Sequence, residues 1–433
     1  MMYLETIKSF ILWILVGISL LLTYVLWSYQ PELETLDQGF EDRVDIGGRE
    51  KSIQELIEPE SIIFKNSDSY YGFTDPGNYR SLYQDMQQKW VLYEFQTGPS
   101  NGRPSIEKQV EIIFPDVIPL SAAKSLFSFN EDVTFPGWSF ERIFITFNTD
   151  SNTLNFIFLS ADGQRQATAV VNNSNRFAQL WGYLTTFEGL TEYLQIDGAE
   201  GPIFIPKFQV EIQSRLVAIN TISPYQMVDE LFRNPDLVSD NRVNENEVYF
   251  TDSQRGIMRV YENRRTLEFQ NPLESTYERM SSSDLIERSI THINEHRGFT
   301  DEYNLMALNT TSNTIKYQMY YDGYPVFGNN NSSVIEQQYR SLELHQYNRP
   351  LFRLNNYLGG KTEILPSGSD VRYILENSKT YDMSNVNDIK VGYQLSYRSS
   401  DNAIELEPAW FMDYNGSWRE INFEEITQLE GGG

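Results

Sequence analysis

The chain of 433 residues contains no cysteine. That excludes a disulfide scaffold and a lipid-modified cysteine anchor, so any folded part must be held by its core alone. Histidine is scarce, at 3 residues, and the sequence carries neither a P-loop nor a G-x-G-x-x-G fingerprint, so phosphate-cradling and dinucleotide-binding sites have no motif here and no cofactor is implied. Basic residues are in deficit. Lys and Arg number 34 against 60 Asp and Glu, a formal net charge of -26, which argues against nucleic acid as a partner and against lying flat on an anionic membrane surface. The surplus reads as a soluble, mutually repelling surface. What is present is apolar and aromatic: 40% hydrophobic and 14% aromatic residues are enough to build cores, and the length predicts two or three domains.

Long apolar runs are absent with one exception. Ser9 to Tyr29 is uncharged throughout, and about 21 residues at 1.5 Å each make a helix of about 31 Å, the thickness of a bilayer's hydrocarbon core. No small-residue pair closes the run, so the expectation is a retained single span rather than a cleaved signal. Lys8 precedes it and Glu32, Glu34 and Asp37 follow, which predicts residues 1–8 as a cytoplasmic stub and the bulk of the chain as extracellular, anchored in the cell membrane. Tyr24, Trp27 and Tyr29 cluster at the exit end, where amphipathic rings meet lipid headgroups.

Residues 30–52, rich in Glu, Asp, Gln and Gly, read as an acidic spacer. An N-terminal α/β domain is expected over 53–207, with a strand at Ser61 to Lys65, a helix at Tyr79 to Gln87, a strand at Trp90 to Gln96, a helix at Ala122 to Phe127, a hairpin of Ile143 to Asn148 with Leu154 to Ser160, and an aromatic helix over Phe177 to Tyr193. A smaller helix-plus-sheet unit is expected over 208–275, its helix opened by Ser223 and Pro224. The order recurs over 276–428. A helix Asp284 to His296, preceded by serines and ended by Gly298, is followed by strands Asn304 to Leu308 and Ile315 to Tyr321 and a hairpin turn at Asp322-Gly323. A second helix over Asp370 to Asn377 is followed by strands Ile389 to Tyr397 and Ala403 to Met412 and a turn at Asn415-Gly416. Residues 429–433, with Gly431 to Gly433, are set aside as a tail. The fold class is α+β: helices laid on antiparallel sheets behind one membrane helix.

The segment His292-Ile293-Asn294-Glu295-His296 formally matches H-x-x-E-H. One helical turn separates the imidazoles, which could share a zinc ion with Glu295 as general base. The apolar stripe Ile286, Ile290, Ile293 instead leaves the histidines on its flank, where solvated residues are ordinary, and no downstream helix offers a third carboxylate. A surface flank is therefore expected, with no metal and no catalytic residue. Carboxylate pairs such as Glu424 and Glu425 read as solvated charges, Tyr317, Met319 and Tyr321 as the buried side of a half-buried strand, and Pro408 to Met412 as a buried strand.

With YYDGYPVFG at Tyr320 to Gly328 and EPAWFMDYNGSW at Glu407 to Trp418, behind one uncleaved helix, the arrangement resembles the YycH family of membrane-anchored regulators from Gram-positive bacteria. The same segments resemble PepSY and YpeB-like modules. The resemblance implies a non-enzymatic regulator of cell-wall homeostasis that acts with the sister protein YycI on the sensor histidine kinase WalK, also called YycG, largely through membrane-helix contacts. On the expected span, Ser9, Trp13, Gly17, Leu20, Tyr24 and Ser28 share one side, and Gly17 permits close approach by a partner helix. Two other readings stand beside it: an extracellular wall-polymer binding module, and a zinc-dependent hydrolase built on the His292 to His296 segment.

Overall fold

Local capping chemistry starts the main helices. In the computed structural model of the chain, the Asp75 carboxylate accepts the Gly77 amide at the head of helix Pro76–Lys89, with Pro76 in its first turn. Asn173 caps Ser174–Thr186 and Ser281 caps Ser282–Glu295. Ser367 and Asp370 form a capping box on Gly368–Asn377. The structure describes residues 44–252, 256–261, 265–272, 278–378, 380–398 and 402–423. Among them no helix is long and apolar enough to cross a membrane; the run Ser9 to Tyr29 lies outside the described residues.

The first sheet has ten strands, ordered Pro202–Pro206, Leu190–Asp197, Ser69–Phe73, Ser61–Asn66, Lys108–Pro119, Ser139–Asn148, Thr153–Ser160, Arg165–Val171, Val91–Pro99 and Ser128–Phe129. All pairs are antiparallel except the last. Lys108–Pro119 is its central strand, and its residues 109–114 are buried without interruption, so it lacks the alternation that marks a strand with one wet face. Helices Pro76–Lys89 and Ser174–Thr186 turn Tyr83, Met86, Leu180 and Leu184 into the same core as Phe64, Ile112, Phe140 and Phe158. The aromatic helix expected over Phe177 to Tyr193 stops at Thr186. Phe187 takes a left-handed φ of 56°, Gly189 one of 73°, and the chain returns as strand Leu190–Asp197 against Ser69–Phe73. The helix expected at Ala122 to Phe127 is a 3-10 turn, Leu120–Ala122, running into the single turn Ala123–Leu126.

Val210–Gln213 pairs with Thr362–Leu365 as a separate two-stranded sheet, and a second large sheet has fourteen strands. Its path runs Ser239–Asn244, Glu247–Thr251, Ile257–Tyr261, Thr266–Gln270, Glu343–Pro350, Val334–Arg340, Thr314–Tyr321, Tyr324–Gly328, Val386–Arg398, Ala403–Tyr414, Arg215–Thr221 and Phe352–Gly359, with Glu302–Asn309 beside Thr314–Tyr321 and Ser417–Glu420 beside Ala403–Tyr414. The strands of 208–275 are thus built into the sheet of 276–428. One parallel pair, Tyr324–Gly328 with Val386–Arg398, joins its halves. Both expected turns are present, with positive φ at Asp322 and Gly323 and at Asn415 and Gly416, the twist that two-residue hairpins need. Thr314–Tyr321 is buried on both faces rather than one: Gln318 and Tyr320 are buried along with Tyr317 and Met319. Trp410 is buried, its indole donating to the Pro366 carbonyl at 2.9 Å.

Residues Val44 to Ser52, the end of the acidic stretch, are stitched to the fold. Ile46 and Lys51 are buried, Arg49 bridges Phe299, and the Asn294 side chain holds both the N–H and the C=O of Lys51 at 2.9 Å. Asn304 grips Glu58 in the same way, with both contacts at 2.9 Å. A side-chain amide offers one donor and one acceptor at the spacing of a strand neighbour. Each Asn therefore replaces one rung of a ladder. Asp116 ties the first sheet to the second directly, accepting the Leu308 amide at 2.6 Å.

Candidate functional site

Residues of both sheets enclose a cleft of about 840 Å³ whose walls include Ile62, Phe114, Phe204, Tyr320, Phe327 and Trp418. Phe327 lies on Phe411 with ring centroids 4.1 Å apart and on Trp418 at 5.0 Å, an aromatic stack outside the main core. Lys390, on strand Val386–Arg398, is largely buried in the cleft. Its ammonium pairs with Asp388 at 2.8 Å and with Glu60 and stands 4.8 Å over the Trp418 ring. Burial alone would drive that ammonium towards neutrality; Asp388 and Glu60 more than offset it and hold the pKa well above the ordinary lysine value. Burial pushes the Glu60 carboxyl up against the opposing pull of Lys390, and burial likewise raises Glu141 and Asp116. The lining of the cleft is mixed in character, with Glu60, Asp116, Glu141, Arg142, Asp388 and Lys390 set beside the aromatic walls. None of the described histidines lines it.

The His292 to His296 segment lies elsewhere, on helix Ser282–Glu295. Leu285, Ile286, Ile290 and Ile293 bury its apolar face, but the histidines do not fall on a solvated flank. His296 is fully buried and His292 half-buried, while Glu295 is exposed. The reason is the neighbour: helix Pro224–Leu231 sends Glu230 to within 3.1 Å of His296 Nδ1. Tyr347 lies 3.0 Å from His296 Nε2 on the other side, and Arg349 donates to the Tyr347 hydroxyl at 3.2 Å. Gln337 contacts His292 Nδ1 at 2.9 Å and is itself fixed by Ser289 at 2.7 Å and Tyr339 at 3.0 Å. Burial, then the other histidine's charge, lowers the His292 pKa to about 4; burial, then Arg349, lowers His296 to about 3. Both rings are neutral at pH 7. The carboxylate beside the histidines comes from upstream in the chain, where no local pattern marks Glu230. Gly298 follows the helix for a steric reason, not for a left-handed cap: a Cβ there would stand 2.5 Å from His296 Nε2, and the positive φ is carried by Arg297.

Ser9, Trp13, Gly17, Leu20, Tyr24 and Ser28, and the pair Glu424 and Glu425, lie outside the described residues. The sequence also carries one literal G-x-S-x-G string, Gly98 to Gly102. It leaves strand Val91–Pro99 for a helix-free loop, and Ser100 Oγ contacts only the backbone of Gly102, so it lacks the strand-to-helix elbow that exposes a nucleophile.

Residues 5–188 match the family model for the YycH protein N-terminal domain, and residues 200–428 that for the YycH protein C-terminal domain. The chain is 24% identical over 456 aligned residues to the two-component system WalR/WalK regulatory protein YycH of Bacillus subtilis (strain 168), an alignment covering 99% of this chain and 98% of that protein. Its fold is similar to the crystal structure of YycH from Bacillus subtilis, with a TM-score of 0.71 at 20% identity over 88% of this chain and 100% of that one. A Bacillus megaterium YpeB C-terminal domain aligns with 47% of this chain and 99% of its own at 9% identity, with a TM-score of 0.26, too low to speak for a YpeB-like C-terminal part.

Proposed function

The chain belongs to the YycH family, and from that premise we propose that it regulates a WalR/WalK-type two-component system without catalysing a reaction. The observation that carries this is the match of both family domains along one chain, with a curated regulator of that system aligned from end to end. The Ser9 to Tyr29 run is its membrane span, and the folded region lies outside the cell with YycI and the kinase as partners. Packing between membrane helices rests on close approach rather than on a hydrophobic driving force, so the Gly17 side of the span is the kinase-facing one. A helix that prefers one kinase state by about 1 to 3 kcal/mol shifts the ratio of states roughly 5- to 150-fold. The Asn294 and Asn304 clamps on Lys51 and Glu58 fix the start of the described chain to the folded region.

A transcriptional reporter of the kinase's regulon tests this. Deleting the gene changes the output, and the full chain restores it. A chimera carrying Ser9 to Tyr29 on an unrelated exterior protein keeps part of the effect. Unchanged output on deletion overturns the regulatory reading; full restoration by the chain with no activity in the chimera overturns the helix-centred version alone. A wall-polymer binding module would instead bind polymer and leave reporter output unchanged when deleted.

A further inference from the structure

We infer that Glu230, His292 and His296 form a binding site for one divalent transition-metal ion of the zinc class. One ligand atom from each of the three lies within 4.8 Å of the other two. Ligands bound at 2.0–2.1 Å in a tetrahedron stand about 3.3 Å apart, and His296 Nδ1 and Glu230 Oε1 are already 3.1 Å apart. The half-buried His292, one helical turn from His296, offers the third donor. Imidazole and carboxylate donors in this ratio suit zinc and cobalt rather than calcium or magnesium.

The outer partners are those of a metal site. Metal-bound imidazoles present one nitrogen to the ion and hold the other by a hydrogen bond. Gln337 occupies His292 Nδ1 and Tyr347 occupies His296 Nε2, which leaves His292 Nε2 and the Glu230-facing His296 Nδ1 to meet the ion. For His292 Nε2 to offer its lone pair, Nδ1–H must donate to the Gln337 carbonyl. That needs the opposite amide orientation, with the NH₂ group donating to the Ser289 and Tyr339 hydroxyls; the heavy atoms stay where they are. At His296 the single ring proton passes from Nδ1, where it faces Glu230, to Nε2, where it is donated to the Tyr347 hydroxyl. With the ring neutral and Glu230 a carboxylate, ion uptake is a tautomer change that releases no net proton and changes no oxidation state. The Arg349 guanidinium behind Tyr347 opposes the added charge, and the Glu230 carboxylate offsets it.

The ion would pin helix Pro224–Leu231 to helix Ser282–Glu295. Glu295, the general base of the H-x-x-E-H pattern, is exposed, so the site is assigned a structural role, and it stands independently of the regulatory reading.

The test uses the full chain purified in detergent, stripped with chelator, then dialysed against Zn²⁺ or Co²⁺. Expected are one equivalent of Zn²⁺ retained, a cobalt absorption spectrum of four-coordinate intensity with water as the fourth ligand, and a higher melting temperature with metal. Glu230→Gln and His292→Gln remove stoichiometric binding. Gln337→Ala, which touches no ion, weakens it about 10- to 100-fold. Absence of stoichiometric zinc and of the cobalt spectrum in the wild-type chain overturns the site, and this readout does not depend on any variant folding. Wild-type affinity in a folded His292→Gln chain overturns the ligand assignment.

Discussion

Replacing Asn304 by alanine removes one side chain and leaves two backbone groups stranded. Asn304 is 2% exposed and holds the Glu58 N–H and C=O at 2.9 Å each. Each buried group left without a partner costs about 1 to 3 kcal/mol, and water that partly reaches the Glu58 side of the seam recovers some of that. Asn304→Ala is therefore expected to lower unfolding free energy by about 2 to 4 kcal/mol, read as a shift of the urea midpoint at unchanged slope. Asn304→Asp is the sharper probe, because it keeps the shape and the acceptor for the Glu58 amide but turns a second oxygen towards the Glu58 carbonyl. Only a protonated carboxyl can donate there. The folded state thus raises the pKa of the new Asp, so its penalty is small at acid pH and grows as pH rises through the folded-state value. A loss under about 0.5 kcal/mol for alanine, or an aspartate penalty that does not change between pH 4 and pH 8, refutes the clamp.

Asp301 predicts a pH effect in the wild type: burial raises its carboxyl from the ordinary aspartate range to about 6, against the Leu354 amide at 2.8 Å, which lowers it. Its contribution is fully present at low pH and is lost as pH climbs through 6, so between pH 4 and pH 8 the wild type should lose about 2 kcal/mol relative to Asp301→Asn in parallel denaturation series; an equal pH profile for the two chains contradicts it. Phe411→Ala, at a residue 1% exposed and stacked on Phe327, is expected to cost about 3 to 4 kcal/mol by thermal unfolding. Gly48→Ala places a Cβ 2.3 Å from the Arg297 carbonyl; the strand-like contact with Phe299 should open, and limited proteolysis should cut within Val44 to Ser52 far faster than in the wild type.

Signals confined to a few neighbouring residues were readable without coordinates. Serine before a helix at Ser281, and Asp322-Gly323 and Asn415-Gly416 between strands, announce themselves because capping and turn geometry are decided locally. Lys108–Pro119 gave no such announcement: with both faces covered it has no polar alternation to mark it, and its Pro115 and Asp116 look like a loop. The stretch after Phe177 misled for a related reason. Its apolar residues suit a helix as far as Thr186, and only the left-handed Phe187 and Gly189 divide it from a strand. In the histidine cluster, half was legible, since two imidazoles four apart share a helix side. Glu230 was not, because no periodicity links Pro224–Leu231 to Ser282–Glu295. The segment-by-segment division failed to anticipate the pairing of Arg215–Thr221 with Ala403–Tyr414 because strand pairing across such a distance leaves no mark in either strand.

That last pairing sets an order of events in time. Arg215–Thr221 lies between Ala403–Tyr414 and Phe352–Gly359, so Ala218 waits for Ala403 before it has a neighbour on that side. A chain made from its N-terminus outward, at about 5 to 20 residues per second, holds this strand without its partner for some ten seconds or more. The first sheet, whose strands all fall between residues 61 and 206, has no such wait. The molecule should therefore assemble in two stages, early and late, with the second slow because its closing contacts are distant in sequence. Its most vulnerable moment comes after the first sheet is finished and before the last strand arrives, when Arg215–Thr221 is an open edge that a passing chaperone or protease would find first.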